Sequence, residues 1–468
     1  MRHCSYLIGL IFLFLPLTTH AGKSYNLPQL VDLALDTRPE MKIAEGGIAE
    51  SENQLKEAKS YYYPQLDLNA AYTHLNQKPY VVVPQTTVNA DVDLSQIKSD
   101  YPILAAVPDN ITVPITIPPT TVDIAGQESF KIKTELKQPL FTGGKIKERV
   151  KQARYMIGIT SSQKGRYAQE IVMQVKSLYF QLVFAQRALS AVKAAEERLK
   201  VVTSFLDNLY KNYIPKEGQE GVTKSDYLKA RLSLSKIREY ESEIQRIKDE
   251  AKKSLMMACN LKDYDFTVSN EAEKYAPKHP SQDLEELKAL AITNRPELEQ
   301  LGLAQKISES EIKRVKAGYY PDLGLFGSYQ HTEDNFSGTQ KDAWAAGAMA
   351  SVPIFNGMRT SSEVKKARAS YQKVGAQREL MELKISLEIE VLYNKLADCL
   401  RKIDIENEAL TQARERRQLE SEAYMLDAKN YDDYLEALED EINTEISLLK
   451  TKAEHYVTLA QLQLALGQ

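Results

Sequence analysis

The sequence predicts an α+β membrane protein built from two internal repeats, each joining amphipathic strands to a long helical hairpin. Three observations predict it. Landmarks recur at fixed offsets along the chain. Apolar residues keep a heptad spacing over segments far longer than an ordinary helix. Between proline landmarks the apolar period falls from 3.6 to 2, the signature of strands.

The repeat is read from short matches. Arg38-Pro39-Glu40 recurs as Arg295-Pro296-Glu297, and Tyr63-Pro64-Gln65-Leu66 as Tyr320-Pro321-Asp322-Leu323, both at an offset of 257. Pro139-Leu140-Phe141-Thr142-Gly143 recurs as Pro353-Ile354-Phe355-Asn356-Gly357 at 214, as do Lys151, Ala153 and Arg154 with Lys365, Ala367 and Arg368. The first half thus carries 43 more residues between its landmarks. A period this long indicates duplicated architecture, with residues 22–270 as repeat 1 and 271–468 as repeat 2.

The chain starts Met1-Arg2-His3, runs apolar from Tyr6 to Leu17, and then reads Thr19-His20-Ala21. A basic start, a short apolar run and a small-x-small site make residues 1–21 a secretory signal peptide, with Gly22 as the mature start. No other segment approaches the roughly 20 apolar residues of a membrane helix. Cys4 leaves with the signal, and Cys259 and Cys399 lie in helical patterns, so no disulfide framework is legible. No cysteine marks the cleavage point, so no lipid-anchored N-terminus is indicated. A net charge of −4 argues against a nucleic-acid partner. With 26 % charged residues and one tryptophan, the composition suits long solvated helices better than a compact enzyme core.

Helices of about 27–36 and 40–60 open the first repeat, and 283–293 and 297–318 the second. After Gly144 no proline occurs until Pro215. Val175, Leu178, Leu182, Ala185, Leu189, Val192, Leu199 and Leu206 form an a/d stripe broken only by Glu196 and Thr203. Ile389, Leu392, Leu396, Cys399, Ile403 and Leu410 repeat it. A helix over 145–211 would extend ~100 Å at ~1.5 Å per residue. The breaker-rich turn 215–221 returns it along Thr223–Cys259, so the hairpins span about 145–259 and 358–466. Tyr227-Leu228-Lys229-Ala230 matches Tyr434-Leu435-Glu436-Ala437 at 207, so the first hairpin is expected to be one heptad longer, which keeps its apolar seam.

Strands are expected at about 65–74, 129–138, 322–331 and 343–352. Leu66, Leu68, Ala70 and Tyr72 alternate with Asp67, Asn69, Ala71 and Thr73. Phe130, Ile132, Thr134 and Leu136 alternate with Lys131, Lys133, Glu135 and Lys137. In an exported chain, apolar-out and polar-in strands fit a transmembrane β-barrel wall. Four strands cannot close a barrel, and a lipid-exposed edge leaves backbone groups unpaired, so several chains must share one. The extra residues, Val-, Thr- and Pro-rich from Pro79 to Gly126, read as a long external loop. Pro64, Pro139, Pro321 and Pro353 mark a barrel–helix junction, either by ending strands or by letting the chain swivel.

This arrangement resembles the TolC-like outer-membrane channel (outer membrane efflux protein) family. The resemblance covers essentially the whole mature chain. It rests on the duplicated plan, the Tyr-Tyr-Pro-x-Leu start of strands one and three, and the Pro-x-Phe-x-Gly that follows strands two and four. It implies a homotrimer: a 12-stranded β-barrel in outer-membrane lipid of a Gram-negative bacterium, continuing into a helical coiled-coil tunnel through the periplasm. Such a chain is a passive conduit of a tripartite efflux or type I secretion system. Its partners are a periplasmic membrane-fusion adaptor and, indirectly, an inner-membrane efflux pump or ABC exporter. By the same resemblance Asp433 and Glu436 fall where carboxylates line the closed periplasmic aperture. They belong to a run of seven acidic residues over 430–449 that reads otherwise as a solvated face. Tyr424 and Lys429 fall where a latch closes against Asp226, Lys429 standing where the family holds arginine. Gly218, Gly221 and Lys224 lie in the turn that faces the adaptor.

Two other function classes fit the sequence less well. A non-conducting periplasmic coiled-coil scaffold or adaptor would carry one hairpin and no duplicated strand sets. A secreted enzyme would carry a catalytic motif, and no His-Glu-x-x-His, Gly-x-Ser-x-Gly, P-loop or Cys-x-x-Cys occurs. No catalytic, metal or cofactor residues are assigned.

Overall fold

The computed structural model describes residues 23–212, 222–269, 280–334, 342–426 and 431–468. The signal peptide, Gly218, Gly221 and Lys429 lie outside the described residues.

The first repeat runs β1 (Lys23–Tyr25), α1 (Leu27–Thr37), α2 (Pro39–Ser60), β2 (Gln65–His74), β3 (Tyr80–Val83), β4 (Thr86–Asp93), α3 (Ser95–Asp100), β5 (Asn110–Ile117), β6 (Thr120–Asp123), β7 (Glu128–Thr142), α4 (Lys145–Asn212), α5 (Lys224–Ala258) and β8 (Phe266–Val268). The second runs α6 (Leu284–Asn294), α7 (Pro296–Lys316), β9 (Asp322–Asp334), β10 (Asp342–Ser351), α8 (Arg359–Leu426) and α9 (Tyr431–Ala465). α4 and α8 each have 68 residues, and α5 and α9 each have 35. The helices of the two hairpins are therefore equal in length. The seven-residue difference lies in the connections, so the expected heptad lengthens neither described helix. Two compact units result: Met1–Asn53, Ala153–Glu309 and Ala369–Gln468 in one, Gln54–Gln152 and Ser310–Arg368 in the other.

In the helical unit the heptad stripe is the core. Val175, Leu182, Leu189, Val192, Leu199 and Leu206 of α4 are buried with Ile237, Ala251 and Leu255 of α5 and Leu435, Leu438 and Ile442 of α9. Burying each large aliphatic side chain is worth about 1.5–3 kcal/mol. Glu196, one of the two breaks in the stripe, is buried as an ion: Arg238 of α5 reaches it at 2.9 Å and Lys200 at 3.3 Å. The Arg238 hydrogen bond holds its carboxyl below the usual range. Phe180 stacks on Tyr456 of α9 with ring centroids 4.4 Å apart, so α4 packs on both α5 and α9. α8 meets α9 through Lys395–Glu454 at 2.9 Å and Ser447–Glu406 at 2.6 Å.

The Arg-Pro-Glu landmarks fasten the short helices to the long ones. Arg38 follows α1 as its C-cap and donates to Gln174 of α4 at 2.7 Å. Arg295 follows α6 and donates to Glu388 of α8 at 2.5 Å. Gln174 and Glu388 are themselves 214 residues apart, so the duplication preserves the tie. A parallel pair, β1 with β8, joins the start of the first repeat to its end.

The other unit is built on one four-stranded antiparallel sheet in the order β10-β9-β7-β2. Register puts Leu66 opposite Leu136, Tyr72 opposite Phe130, Tyr329 opposite Trp344, and Thr134 opposite Tyr329, so one face carries the apolar set. Leu66 and Leu68 are 68 % and 70 % exposed on it. Asp67, Asn69, Lys131, Lys133, Glu135, Lys137 and Gln330 lie on the other. The outer sides of β2 and β10 pair with no strand among the described residues.

Residues 79–126 correct the loop expectation. β3 pairs with β6 and β4 with β5, nested within the β2–β7 ladder, so the insertion is a β-ribbon. The reason is local: Val81, Val82, Val83, Val88, Val92, Ile111, Val113, Ile115 and Ile117 are β-branched, and such side chains favour the pleated strand. Pro139 differs from its three counterparts. It lies inside β7 at a register irregularity opposite Gly324, where its missing N–H breaks no regular rung. Gly143 and Gly144 turn β7 into α4 at φ 60° and 92°. The second repeat uses Gly357 and Met358, both at φ 64°.

Candidate aperture at the tips of the helical hairpins

The candidate residues converge where α4 ends, α5 begins, and α8 gives way to α9. Thr223 and Asp226 form a capping box that starts α5: the Thr223 N–H donates to Asp226 at 2.8 Å, and the Asp226 N–H to Thr223 Oγ1 at 3.3 Å. The other Asp226 oxygen accepts the hydroxyl of Tyr431, at the start of α9. Burial works against the Asp226 carboxylate, but the bonds from Tyr431 and Thr223 outweigh it and hold its pKa below the usual range. Burial and two neighbouring carboxylates, Asp226 and Asp432, push the Tyr431 hydroxyl far up. Beside this contact Lys229 bridges to Asp432 at 2.6 Å. The tips of the two hairpins are thus joined by Tyr431–Asp226 and Lys229–Asp432.

Tyr424, which the resemblance paired with Asp226, points elsewhere. Its ring stacks on Tyr434 at 5.7 Å and meets Phe205 edge-on at 5.8 Å. Its hydroxyl has no hydrogen-bond partner among the described residues, and burial pushes it up to about 12. Tyr431 takes the position against Asp226 because it begins α9, facing the first turn of α5. Pattern reading missed Tyr431 and Lys229; the one cue was the aromatic residue heading the acidic run.

Six of the seven acidic residues are neutralised within the chain. Asp432 takes Lys229, and Glu439 takes Ser233 at 2.7 Å and Lys236 at 3.3 Å. Arg416 of α8 spans Asp440 at 2.6 Å and Glu436 at 2.9 Å. Arg414 reaches Glu445 at 3.3 Å. Glu441 is buried against Arg198, Arg414 and Arg417, the last in close contact. Asp433 is exposed and has no ion pair among the described residues. Among the described residues it is the one carboxylate of the run without a cation, whereas Glu436 shares a guanidinium. Lys224 stands at the first position of α5.

No described helix is long and apolar enough to cross a membrane. The element that presents lipid-compatible surface is the sheet, with one apolar face and open edges. Such a sheet, in a chain whose remainder is heptad-packed helical hairpins, defines an outer-membrane channel protein. The chain belongs to the outer membrane efflux protein family, whose model matches residues 30–258 and 287–468. The family is one of outer-membrane efflux proteins. Among curated proteins it is similar to the alkaline protease secretion protein AprF of Pseudomonas aeruginosa, 23 % identical over 256 residues, covering 53 % of this chain and 50 % of that protein. The match thus spans about half the relative's length. Among solved structures it resembles the outer membrane protein VceC of Vibrio cholerae, with TM-score 0.68, 16 % identity, and 94 % and 96 % of the two chains covered. It also resembles the CmeC outer membrane channel of Campylobacter jejuni, with TM-score 0.68, 16 % identity, and 100 % and 93 % covered. At these identities the likeness shows the fold.

Proposed function

We propose that three copies of this chain close one 12-stranded barrel in outer-membrane lipid, and that the helical hairpins form the periplasmic tunnel of a passive export conduit. The observation that carries this reading is the four-stranded sheet with an exposed apolar face and two unpaired edges. In lipid its backbone groups must find partners, and no described strand of this chain supplies them, so other copies do. β2 and β10 run in opposite directions, so β2 of one copy and β10 of the next continue the antiparallel alternation. Pro64, Pro139, Pro321 and Pro353 mark the exits from this wall towards the helices.

On this reading the hairpin tips are the periplasmic aperture. Asp433 contributes a ring of uncompensated carboxylates that favours cations. Glu436 contributes less because Arg416 shares its charge. Tyr431–Asp226 and Lys229–Asp432 are the contacts an opening must break, with Tyr424 stacked behind them and Lys429 alongside in sequence. A periplasmic membrane-fusion adaptor engages the turn that holds Gly218, Gly221 and Lys224. It links the conduit to an inner-membrane efflux pump or, as for a secretion protein, an ABC exporter.

The test is single-channel conductance of the purified full-length protein in planar bilayers. The expected result is a small cation-selective conductance whose selectivity falls in Asp433→Ala and changes less in Glu436→Ala. A conducting pore indifferent to Asp433→Ala removes the aperture assignment and keeps the channel. Membrane-inserted trimers without conductance in wild type and variants return the chain to the non-conducting scaffold class.

A further inference from the structure

A basic cavity lies where α7 and α8 meet the sheet. It measures about 420 Å³ and is lined by Lys316 at the end of α7, Tyr319 and Tyr320 just after it, and Ser361, Lys365 and Arg368 of α8. None of the three cations has an ion pair among the described residues. The acids nearest in sequence are held by other cations: Glu311 by Arg314 at 2.7 Å, Asp322 by Lys145 at 2.6 Å, and Glu363 by Arg359 at 3.9 Å. The duplication explains the surplus. Lys365 and Lys151 are the same position in the two repeats, and Lys151 bonds Glu148, one turn earlier, at 2.6 Å. In the second repeat Ser362 stands where Glu148 does, so Lys365 has lost that partner.

Chirality fixes the side on which the cavity opens. The Leu75 N–H donates to the Gln127 carbonyl at 2.9 Å, so the odd-numbered residues of β2 direct their amides to β7, while the even-numbered ones, Leu66 to Tyr72, carry the apolar face. For L-residues this places β7 to the left of β2, seen from the apolar face with the proline landmarks below. The sheet then reads β10, β9, β7, β2 from left to right, and α8, leaving β10, descends to the left of α7. Thr360, Val364 and Ala367 of α8 are buried, Thr360 against Gly318 at the end of α7, and so mark the seam. In a right-handed helix running downward, the residues that follow them, Ser361, Lys365 and Arg368, turn to the apolar-face side.

We propose that this cavity binds the headgroup of an anionic phospholipid, in the leaflet that borders the helices. The proposal rests on the reading that the apolar face of the sheet meets lipid. Two ammonium groups and a guanidinium supply the charge that a phosphodiester needs, and the fork of Arg368 matches its oxygens. The hydroxyls of Tyr319, Tyr320 and Ser361 add neutral donors. The position suits a lipid rather than a free anion. The apolar face begins at Leu323, directly beyond Pro321, and Leu323 and Leu325 are exposed. A phosphate held in the cavity therefore lays its acyl chains along that face. Tyr319 and Tyr320 are exposed at the same margin, where a ring can rest against acyl chains while its hydroxyl stays among headgroups.

The experiment reconstitutes the purified full-length protein into phosphatidylcholine vesicles with a minor share of phosphatidylglycerol. The vesicles are floated after a carbonate wash, and the lipids retained on gentle detergent release are counted by native mass spectrometry. Wild type is expected to float and to retain phosphatidylglycerol in preference to phosphatidylcholine. Lys316→Gln, Lys365→Gln and Arg368→Gln are each expected to float and to lower that preference about fivefold, the effect of one basic residue at an anionic lipid surface. Lys366→Gln, in the same turn but on the side of α8 turned from the cavity, is expected to leave it unchanged. Glycerol phosphate, added to the released protein, is expected to displace no phosphatidylglycerol. Inserted wild type without the preference overturns the site and leaves the barrel reading standing, whereas wild type that does not float overturns both. A loss in Lys366→Gln equal to that in the cavity variants marks a general surface charge and overturns the site. Displacement by glycerol phosphate marks a free-phosphate site and overturns the lipid assignment.

Discussion

Replacing Arg295 by alanine should destabilise the helical unit far more than replacing Arg38, although the two arginines are the same landmark in the two repeats. Arg295 is 5 % exposed. Its guanidinium donates to the Ala465 carbonyl at 2.6 Å and to Glu388 at 2.5 Å, with Glu297 at 3.6 Å. Hydrogen bonds of a charged group contribute about 1.5–3 kcal/mol each. The Glu388 contact deserves the lower figure, because that carboxylate is 47 % exposed and rehydrates when the arginine is gone. The Ala465 carbonyl is left without its donor in a buried place. The expected loss is about 3 kcal/mol. Arg38 contacts a neutral glutamine and a Glu40 that is 41 % exposed, both able to turn to water, so about 1 kcal/mol is expected. Urea unfolding of the detergent-purified protein, followed by far-UV circular dichroism, should place the two variants about 2 kcal/mol apart in that order. Equal losses, or a smaller loss for Arg295→Ala, would refute the claim that burial of the guanidinium sets its contribution.

Gly143→Ala should cost more than Gly357→Ala. Both positions have left-handed φ, but a Cβ on Gly143 would stand 2.7 Å from the Ala317 carbonyl oxygen while one on Gly357 meets nothing. The second change is expected at about 1 kcal/mol and the first at more than twice that, read as thermal midpoints. Tyr424→Phe should be nearly neutral in denaturation, since its hydroxyl has no partner among the described residues. Tyr431→Phe should make the tips acid-sensitive. Because Asp226 has a depressed pKa in the folded state, its contribution is complete above its unfolded pKa and is lost as pH falls through the lower folded value. Removing the Tyr431 bond raises that folded value, so tip protection against proteolysis should fail at a higher pH than in wild type. Unchanged acid behaviour would remove Tyr431 from the contact.

Periodicity made much of this fold legible. Val175 to Leu206 announces its burial by heptad spacing, and Leu66 to Tyr72 its shared face by alternation. Those are local properties of the chain. The ribbon of residues 79–126 was misread because breakers such as Pro84, Pro114 and Pro118 mask the β-branched runs between them. The role of Arg38 and Arg295 was illegible because Gln174 and Glu388 are distant in sequence. The same holds at the tips, where the resemblance put Tyr424 near Asp226 and packing put Tyr431 there. The acidic run shows the opposite problem. It reads as a single charged face, yet Arg198, Lys229, Lys236, Arg414, Arg416 and Arg417 neutralise most of it from three other helices.

The open sides of β2 and β10 also bear on how the protein is made. A strand edge that has met no partner is a template for any passing chain, and the face beside it is apolar. On the proposed three-chain barrel, a newly exported copy is competent to aggregate and incompetent to enter lipid by itself. Membrane insertion on that reading becomes a reaction whose order exceeds one in chain concentration, in competition with proteolysis and misassembly. Lowering expression would then reduce the inserted fraction as well as the total, a dose dependence that a self-contained barrel escapes.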